Sequence, residues 1–252
     1  MVKDKGAGTI FFSGCNFRCV YCQNYQISQG NIGKNYSISQ LVEIMLDLQK
    51  QGALNIDLVT PTIWFRQIKE AIVEAKKQGL KIPIVWNNNG YDGKSVLKAV
   101  EGLIDIYLPD FKYGRDDLAF KYSGVKNYTK IARESLREMF RQVGNLVISD
   151  DGVARRGVIV RHLILPNNLE NSFKSLDYIK EIDKDIYVNL MGQHEPVYKS
   201  KDFPELNRTV TKEEFDKVFD YLVKLGFENG WVQELESHSC LLPDFTKANP
   251  FC

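Results

Sequence analysis

Short apolar runs alternate with amphipathic stretches from one end of the chain to the other. TIFFS, at 9–13, reads as a first strand. A helix with start and stop signals follows. Ser37 and Gln40 form a capping-box pair. Leu41, Ile44, Met45 and Leu48 then recur on one helical face, and Gly52 stands where the helix should end. NIDLVT (55–60) is a second strand, followed by a helix over 65–79. IPIVWN (82–87) and IDIYLPDF (104–111) are a third and a fourth strand, and helical stretches fill 116–143. GVIVRHLIL (157–165) and, after another helix, DIYVNLM (185–191) are a fifth and a sixth. Thr211 and Glu214 open a last helix, with Phe215, Val218, Phe219 and Leu222 on one face and Gly226 at its end. GWVQEL (230–235) is a short closing strand.

The strands are apolar almost throughout, as parallel strands buried on both faces are. Their alternation with helices implies βαβ units. No linker, repeat or shift of composition divides the chain. The expectation is one α/β domain over 1–252, with a core over 8–233 and a tail over 234–252. A partial (β/α)6-type TIM-like barrel fits better than a Rossmann sheet, because no G-x-G-x-x-G follows the first strand. In such barrels reactive groups sit at the C-terminal ends of strands.

Composition changes this picture little. Hydrophobic residues make up 44 % and charged residues 26 % of 252 residues, ordinary for a globular chain. Lys+Arg at 33 against Asp+Glu at 32 leaves no electrostatic footprint for nucleic acid. No apolar run approaches the roughly 20 residues of a membrane span. The start, MVKDKGAG, has no apolar h-region, so a cytoplasmic location is expected, with no nucleic-acid or membrane partner. In a reducing compartment clustered cysteines are more often metal ligands or redox groups than disulfides.

Three of the five cysteines crowd into GCNFRCVYCQNY, at 14–25, just past the first strand. Asn16, Arg18, Gln23 and Asn24 among them make poor core composition. Three zinc ligands with a histidine or Cys240 as the fourth is one alternative, and a redox thiol pair is another. An iron–sulfur cluster is the third. Thiolates bind such clusters, and three of them leave one iron of a [4Fe–4S] cube open for chemistry.

CNFRCVYC is similar to the C-x3-C-x-φ-C motif of the radical S-adenosylmethionine enzymes, and the resemblance runs from about Gly8 to about Glu195. QNY after the motif resembles the branch around pyruvate formate-lyase activating enzyme and its uncharacterised homologues. The resemblance implies that Cys15, Cys19 and Cys22 hold a [4Fe–4S] cluster whose open iron chelates S-adenosylmethionine. One-electron reduction, from an external donor of the flavodoxin or ferredoxin type, then yields a 5′-deoxyadenosyl radical that abstracts a substrate hydrogen. A glycyl-radical protein, another protein or peptide, and a small metabolite all remain open as substrates.

The cofactor candidates lie at successive strand ends. Tyr21 and Gln23 sit in the cysteine loop, Tyr21 expected near the adenine. After the second strand the family carries Gly-Gly-Glu, where this chain has Val59-Thr60-Pro61-Thr62, so Thr60 and Thr62 offer hydroxyls and carbonyls but no charge. WNNNGY, with Asn87, Asn88 and Asn89, is similar to Asp-Thr-Asn-Gly. PDFKY resembles Asp-Leu-Lys, and its Asp110 and Lys112 point to one side of an extended chain. Asp110 and Asn87 are placed to share a small cation, as in the activating enzyme. Arg161, a charge inside an apolar strand, needs a partner and matches an arginine that reaches the cofactor. His162 has the opposite face and a packing role. LMGQHE is similar to Leu-Pro-Tyr-His-Glu and sets His194 against the adenine. Cys240 and Cys252 read as ordinary thiols in a loop-like tail that covers an opening of the barrel.

Overall fold

The computed structural model describes residues 6–233, 242–247 and 249–251. Cys240 and Cys252 lie outside these residues. Eight strands form one sheet: β1 (Gly8–Phe11), β2 (Ile56–Val59), β3 (Ile84–Asn88), β4 (Ile106–Pro109), β5 (Val147–Ile148), β6 (Ala154–Leu163), β7 (Tyr187–Met191) and β8 (Gly230–Gln233). Seven run parallel in the order β1-β2-β3-β4-β6-β7-β8, with β5 antiparallel on the start of β6. This is a partial TIM-like barrel, as the alternation of elements leads one to expect.

Around it run α1 (Tyr25–Ser28), α2 (Ile38–Lys50), α3 (Phe65–Lys77), α4 (Lys94–Ala99), α5 (Asp116–Ser123), α6 (Tyr128–Val143), α7 (Leu169–Lys180) and α8 (Lys212–Lys224). Both capping boxes form. The Ser37 hydroxyl accepts from the Gln40 N–H at 3.2 Å while the Gln40 amide oxygen accepts from the Ser37 N–H at 2.8 Å. Thr211 and Glu214 repeat the exchange at α8. The helical stretches of 116–143 are α5 and α6, parted at Gly124–Asn127. One feature differs from the sequence expectation: Ser149–Gly152 is the turn of a β5–β6 hairpin.

Burial alternates along β2, β7 and the second half of β6, whereas all five residues of β3 are buried. Ile56 and Leu58 of β2 and Val188 and Leu190 of β7 are buried against the helix layer, in one core with Ile68, Ala71, Ile72 and Ala75 of α3 and Leu176 and Ile179 of α7. Burying each large aliphatic side chain is worth about 1.5–3 kcal/mol. The residues between them, among them Asp57, Val59, Arg161 and Asn189, are only half-buried and turn into the barrel. The strands are therefore not apolar on both faces. Their inner face is polar because it walls a lumen.

Among the described residues, edge strand β1 pairs only with β2. Its last residue, Phe11, meets the rings of Phe245 and Phe251 at 5.2 and 5.7 Å. Gln26 grips the same segment, donating to Asp244 and accepting from the Phe245 N–H. The described part of the tail thus covers the β1 side of the barrel. Among the described residues no helix is long and apolar enough to cross a membrane.

Candidate cofactor site at the strand ends

β1 delivers the chain to the C-terminal rim of the sheet, where Phe12 still donates to Val59 O at 3.1 Å. Gly14 then turns the chain at φ 83°, and a Cβ there would lie 2.8 Å from Ile63 Cδ1. The loop that follows runs over the end of α5. Arg18 N–H donates to Ser123 O, Val20 N–H to Tyr122 O, and Lys199 N–H to Val20 O, all within 3.0 Å. Phe17, 1 % exposed, packs edge-on against the stacked rings of Tyr91 and Tyr128.

Cys15, Cys19 and Cys22 are free thiols, and each faces a hydrogen-bonding group. Cys15 Sγ accepts from the Phe17 N–H at 3.4 Å and from Asn89 Nδ2 at 3.7 Å. Cys19 Sγ accepts from Ser123 Oγ at 3.0 Å, and Cys22 Sγ lies 3.2 Å from Ser28 Oγ. Burial pushes the Cys15 thiol up, helped by Cys22, against the Phe17 N–H and Lys112. Burial pushes Cys19 up to about 12, against the pull of Lys112 and with a further push from Cys22. Three adjacent thiolates in this place repel one another, and a cationic metal centre would offset that repulsion. Soft thiolate donors suit iron–sulfur clusters and zinc alike. Three thiols, each with its own hydrogen-bond partner, suit a cube that takes three protein thiolates and keeps one iron open.

Beside the thiols the lumen wall carries a charged network. Asp110 Oδ2 accepts from Lys112 Nζ and Asp110 Oδ1 from Arg161 Nε, both at 2.8 Å. Arg161 Nη2 donates to Asn87 Oδ1 at 2.6 Å, and Asn87 Nδ2 to Asp57 Oδ2 at 3.3 Å. Burial alone would raise the Asp110 carboxyl, but Arg161 and Lys112 hold it below the usual carboxylate range. Burial would likewise lower Lys112; Asp110 and the Cys19 thiol raise it. The small cation expected between Asp110 and Asn87 is not supported: both Asp110 oxygens and the Asn87 amide oxygen are taken by Arg161 and Lys112, which bring the positive charge themselves. Asp57 escaped the sequence reading. Its only signal was an acid at an inward position of NIDLVT. Burial raises its carboxyl, and Arg161 and Asn87 offset this only in part. Asp57 Oδ1 and Asn189 Oδ1 are buried with no hydrogen-bond partner, which leaves two acceptors for a ligand that donates.

The remaining candidates divide. Asn89 ties the β3 end to the cysteine loop through Asn16 Oδ1 at 2.6 Å. Gly90, at φ 76°, follows it, and any Cβ there would strike Asp110 O at 2.2 Å. Tyr128 Oη locks the same corner, bonding Asn89 O, Asp110 O and the Lys112 N–H. Tyr21 is buried with its ring 5.8 Å from that of His194, and His194 Nε2 lies 2.9 Å from Leu206 O. Gln23 is half-buried in the turn before α1. Thr60 holds the bend after β2 at φ 62°, its N–H on Asn87 O. Thr62 does not join the group: its hydroxyl is committed to Asp92, a buried carboxylate that also accepts from Trp86 and Asn88. His162 packs behind the sheet, with Nδ1 2.6 Å from Phe111 O. Ser28, Ser123 and Tyr128, at helix ends, and Tyr113, in the stretch after β4, were not foreseen, because a lone serine or tyrosine carries no pattern of its own.

The family model of the Radical SAM superfamily matches residues 9–197, the whole stretch from β1 through the His194 loop. The chain belongs to the radical SAM superfamily. Among curated proteins it is 33 % identical over 230 residues to an uncharacterised protein of Methanocaldococcus jannaschii, covering 87 % of this chain and 63 % of that one. It is 24 % identical over 204 residues to the pyruvate formate-lyase-activating enzyme of Clostridium pasteurianum, covering 77 % and 78 %. Its fold is similar to that of Streptococcus suis SuiB solved with S-adenosylmethionine, with a TM-score of 0.59, 12 % identity and coverage of 92 % of this chain and 52 % of that one. The FeFe-hydrogenase maturase HydG of Carboxydothermus hydrogenoformans gives a TM-score of 0.59, 13 % identity and coverage of 89 % and 52 %. This radical SAM chain therefore spans less than two thirds of its archaeal relative and about half of these solved chains.

Proposed function

We propose that this chain holds a [4Fe–4S] cluster through Cys15, Cys19 and Cys22, binds S-adenosylmethionine beside it, and starts radical chemistry on a protein or peptide substrate. The observation that carries the reading is the loop itself: three free thiols at the end of β1, each facing its own donor, at the mouth of a polar lumen. Bound there, the two cofactors supply a reductive cleavage that releases methionine and a 5′-deoxyadenosyl radical, which takes a hydrogen atom from the substrate.

The chain's own groups bind and orient. Lys112 and Arg161 offer positive charge for a carboxylate, and Asp110 holds both cations in place. Asn89 fixes the Cys15 side of the loop. Tyr21 and His194 present an aromatic wall suited to a nucleobase. The barrel keeps water from a reactive intermediate. A small external one-electron donor, flavodoxin or ferredoxin, supplies the electron. Activation of a glycyl-radical protein is the specific form we favour, supported by the likeness to an activating enzyme over 78 % of that protein's length.

Anaerobic reconstitution with iron and sulfide tests this. A brown protein with about four irons per chain is expected. Dithionite and S-adenosylmethionine should then release 5′-deoxyadenosine, and Cys15→Ala, Cys19→Ala or Cys22→Ala should each abolish it. A colourless zinc protein indifferent to S-adenosylmethionine would overturn the reading. Transfer of deuterium from a glycine-labelled partner into 5′-deoxyadenosine checks the glycyl form.

A further inference from the structure

Of the three thiols Cys19 is the most buried, at 7 % exposed. The hydroxyl that meets it belongs to a chain. Ser123 Oγ lies 3.0 Å from Cys19 Sγ, Tyr113 Oη 2.6 Å from Ser123 Oγ, and Tyr21 Oη 2.7 Å from Tyr113 Oη. Ser123, Tyr113 and Tyr21 are all buried, so water does not compete for these bonds. The chain draws on three separate segments: the cysteine loop, the stretch after β4 and the last residue of α5.

A metal-bound thiolate can only accept. That fixes the direction of every bond. Ser123 donates to sulfur, so its oxygen accepts from Tyr113, whose oxygen accepts from Tyr21. Hydrogen bonds polarise one another in series, so each hydroxyl behind Ser123 strengthens the bond at sulfur. Cys15 has no such hydroxyl chain, and that of Cys22 is shorter and looser. Cys15 has amide donors at 3.4 and 3.7 Å, and the Cys22 partner Ser28 is backed by an amide, Gln29 Nε2 at 3.4 Å.

We infer that Ser123, Tyr113 and Tyr21 form a positioning relay that raises the reduction potential of the cluster through Cys19. The inference rests on the cluster proposed above. Donors to cluster sulfurs stabilise the extra negative charge of the reduced state, so they favour reduction. None of the three needs to touch substrate to act in this way.

The test is an EPR-monitored redox titration of reconstituted wild type, Ser123→Ala, Tyr113→Phe and Tyr21→Phe, each with its iron content measured and without S-adenosylmethionine. Ser123→Ala should cut the ratio of reduced to oxidised cluster about tenfold at the wild-type midpoint, about 59 mV for one electron. Tyr113→Phe should shift it less in the same direction, and Tyr21→Phe least. A fully loaded Ser123→Ala protein with the wild-type midpoint overturns the inference. Should Ser123→Ala fail to hold four irons, the two tyrosine variants decide, since both keep the serine. Unshifted midpoints in both overturn the relay. A wild type that takes up no cluster overturns the proposed function, and the relay with it.

Discussion

Thr60 sits at φ 62°, a left-handed conformation that crowds a β-branched side chain. Its N–H on Asn87 O holds the bend where the chain leaves β2. Such strain costs about 1–3 kcal/mol and is retained where surrounding structure imposes it. The resembled family places glycines at this bend, and glycine takes the conformation freely. Thr60→Gly is therefore expected to stabilise the fold by about 1 kcal/mol, although glycine usually weakens a chain, whereas Thr60→Val should not. Urea unfolding of both variants decides it, and a lower midpoint for Thr60→Gly would mean the hydroxyl contributes more than the strain removes. At this scale the sequence was legible where chemistry interrupts pattern. Three thiols in a row of turns, an acid and a lysine two residues apart after an apolar run, and an arginine inside a strand all stand out. Ser123 does not, because its meeting with Cys19 spans 104 positions of chain.

Between elements, the charged network reinforces the β4–β6 contact at the rim, beside the backbone bond from Phe111 N–H to Arg161 O. The ladder hydrogen bonds of this pair reach only from Ile106 to Tyr107, and the contact resumes at a bridge between Asp110 and Arg161. The Asp110 side chain, set between Lys112 and Arg161, closes the interval. Asp110→Asn would leave two buried cations facing each other, and breaking such a pair costs about 3–5 kcal/mol. A loss near the lower figure is expected in thermal or urea unfolding, with no change in the far-UV spectrum of the folded state. Element types were legible because periodicity and capping agree: both boxes form as read, α2 buries Leu41 and Met45 and α8 buries Val218 and Leu222, while Phe219 of the face read for α8 is exposed. The β5–β6 hairpin was not legible. It depends on a two-residue strand with both residues exposed, too short to show a period.

For the molecule as a whole, His162 sets an acid limit. It lies at 0 % exposure between the sheet and its helices, Nδ1 facing a carbonyl and Nε2 buried without a partner. Burial lowers its pKa from 6.5 to about 4. The unfolded chain therefore takes up a proton that the folded chain refuses. The stability this contributes is complete above pH 6.5 and is lost as the pH falls toward 4. Between pH 6.5 and 5 the loss is about 2 kcal/mol. Unfolding free energies measured across that window should show this slope in the wild type and lack it in His162→Gln.

Backbone bonds to Val59, Ile27, Ser123 and Tyr122, and one from Lys199, pin the cysteine loop. Every one of those anchors is protein. A zinc finger has no shape until its ion arrives, because the ion is its only anchor. If the loop holds the proposed cluster, these anchors imply the reverse order for this chain: the barrel would fold first and take up iron afterwards, and loss of the cluster would leave a folded protein that can be refilled. Iron-free protein is then expected to keep the far-UV spectrum and cooperative unfolding of the loaded one.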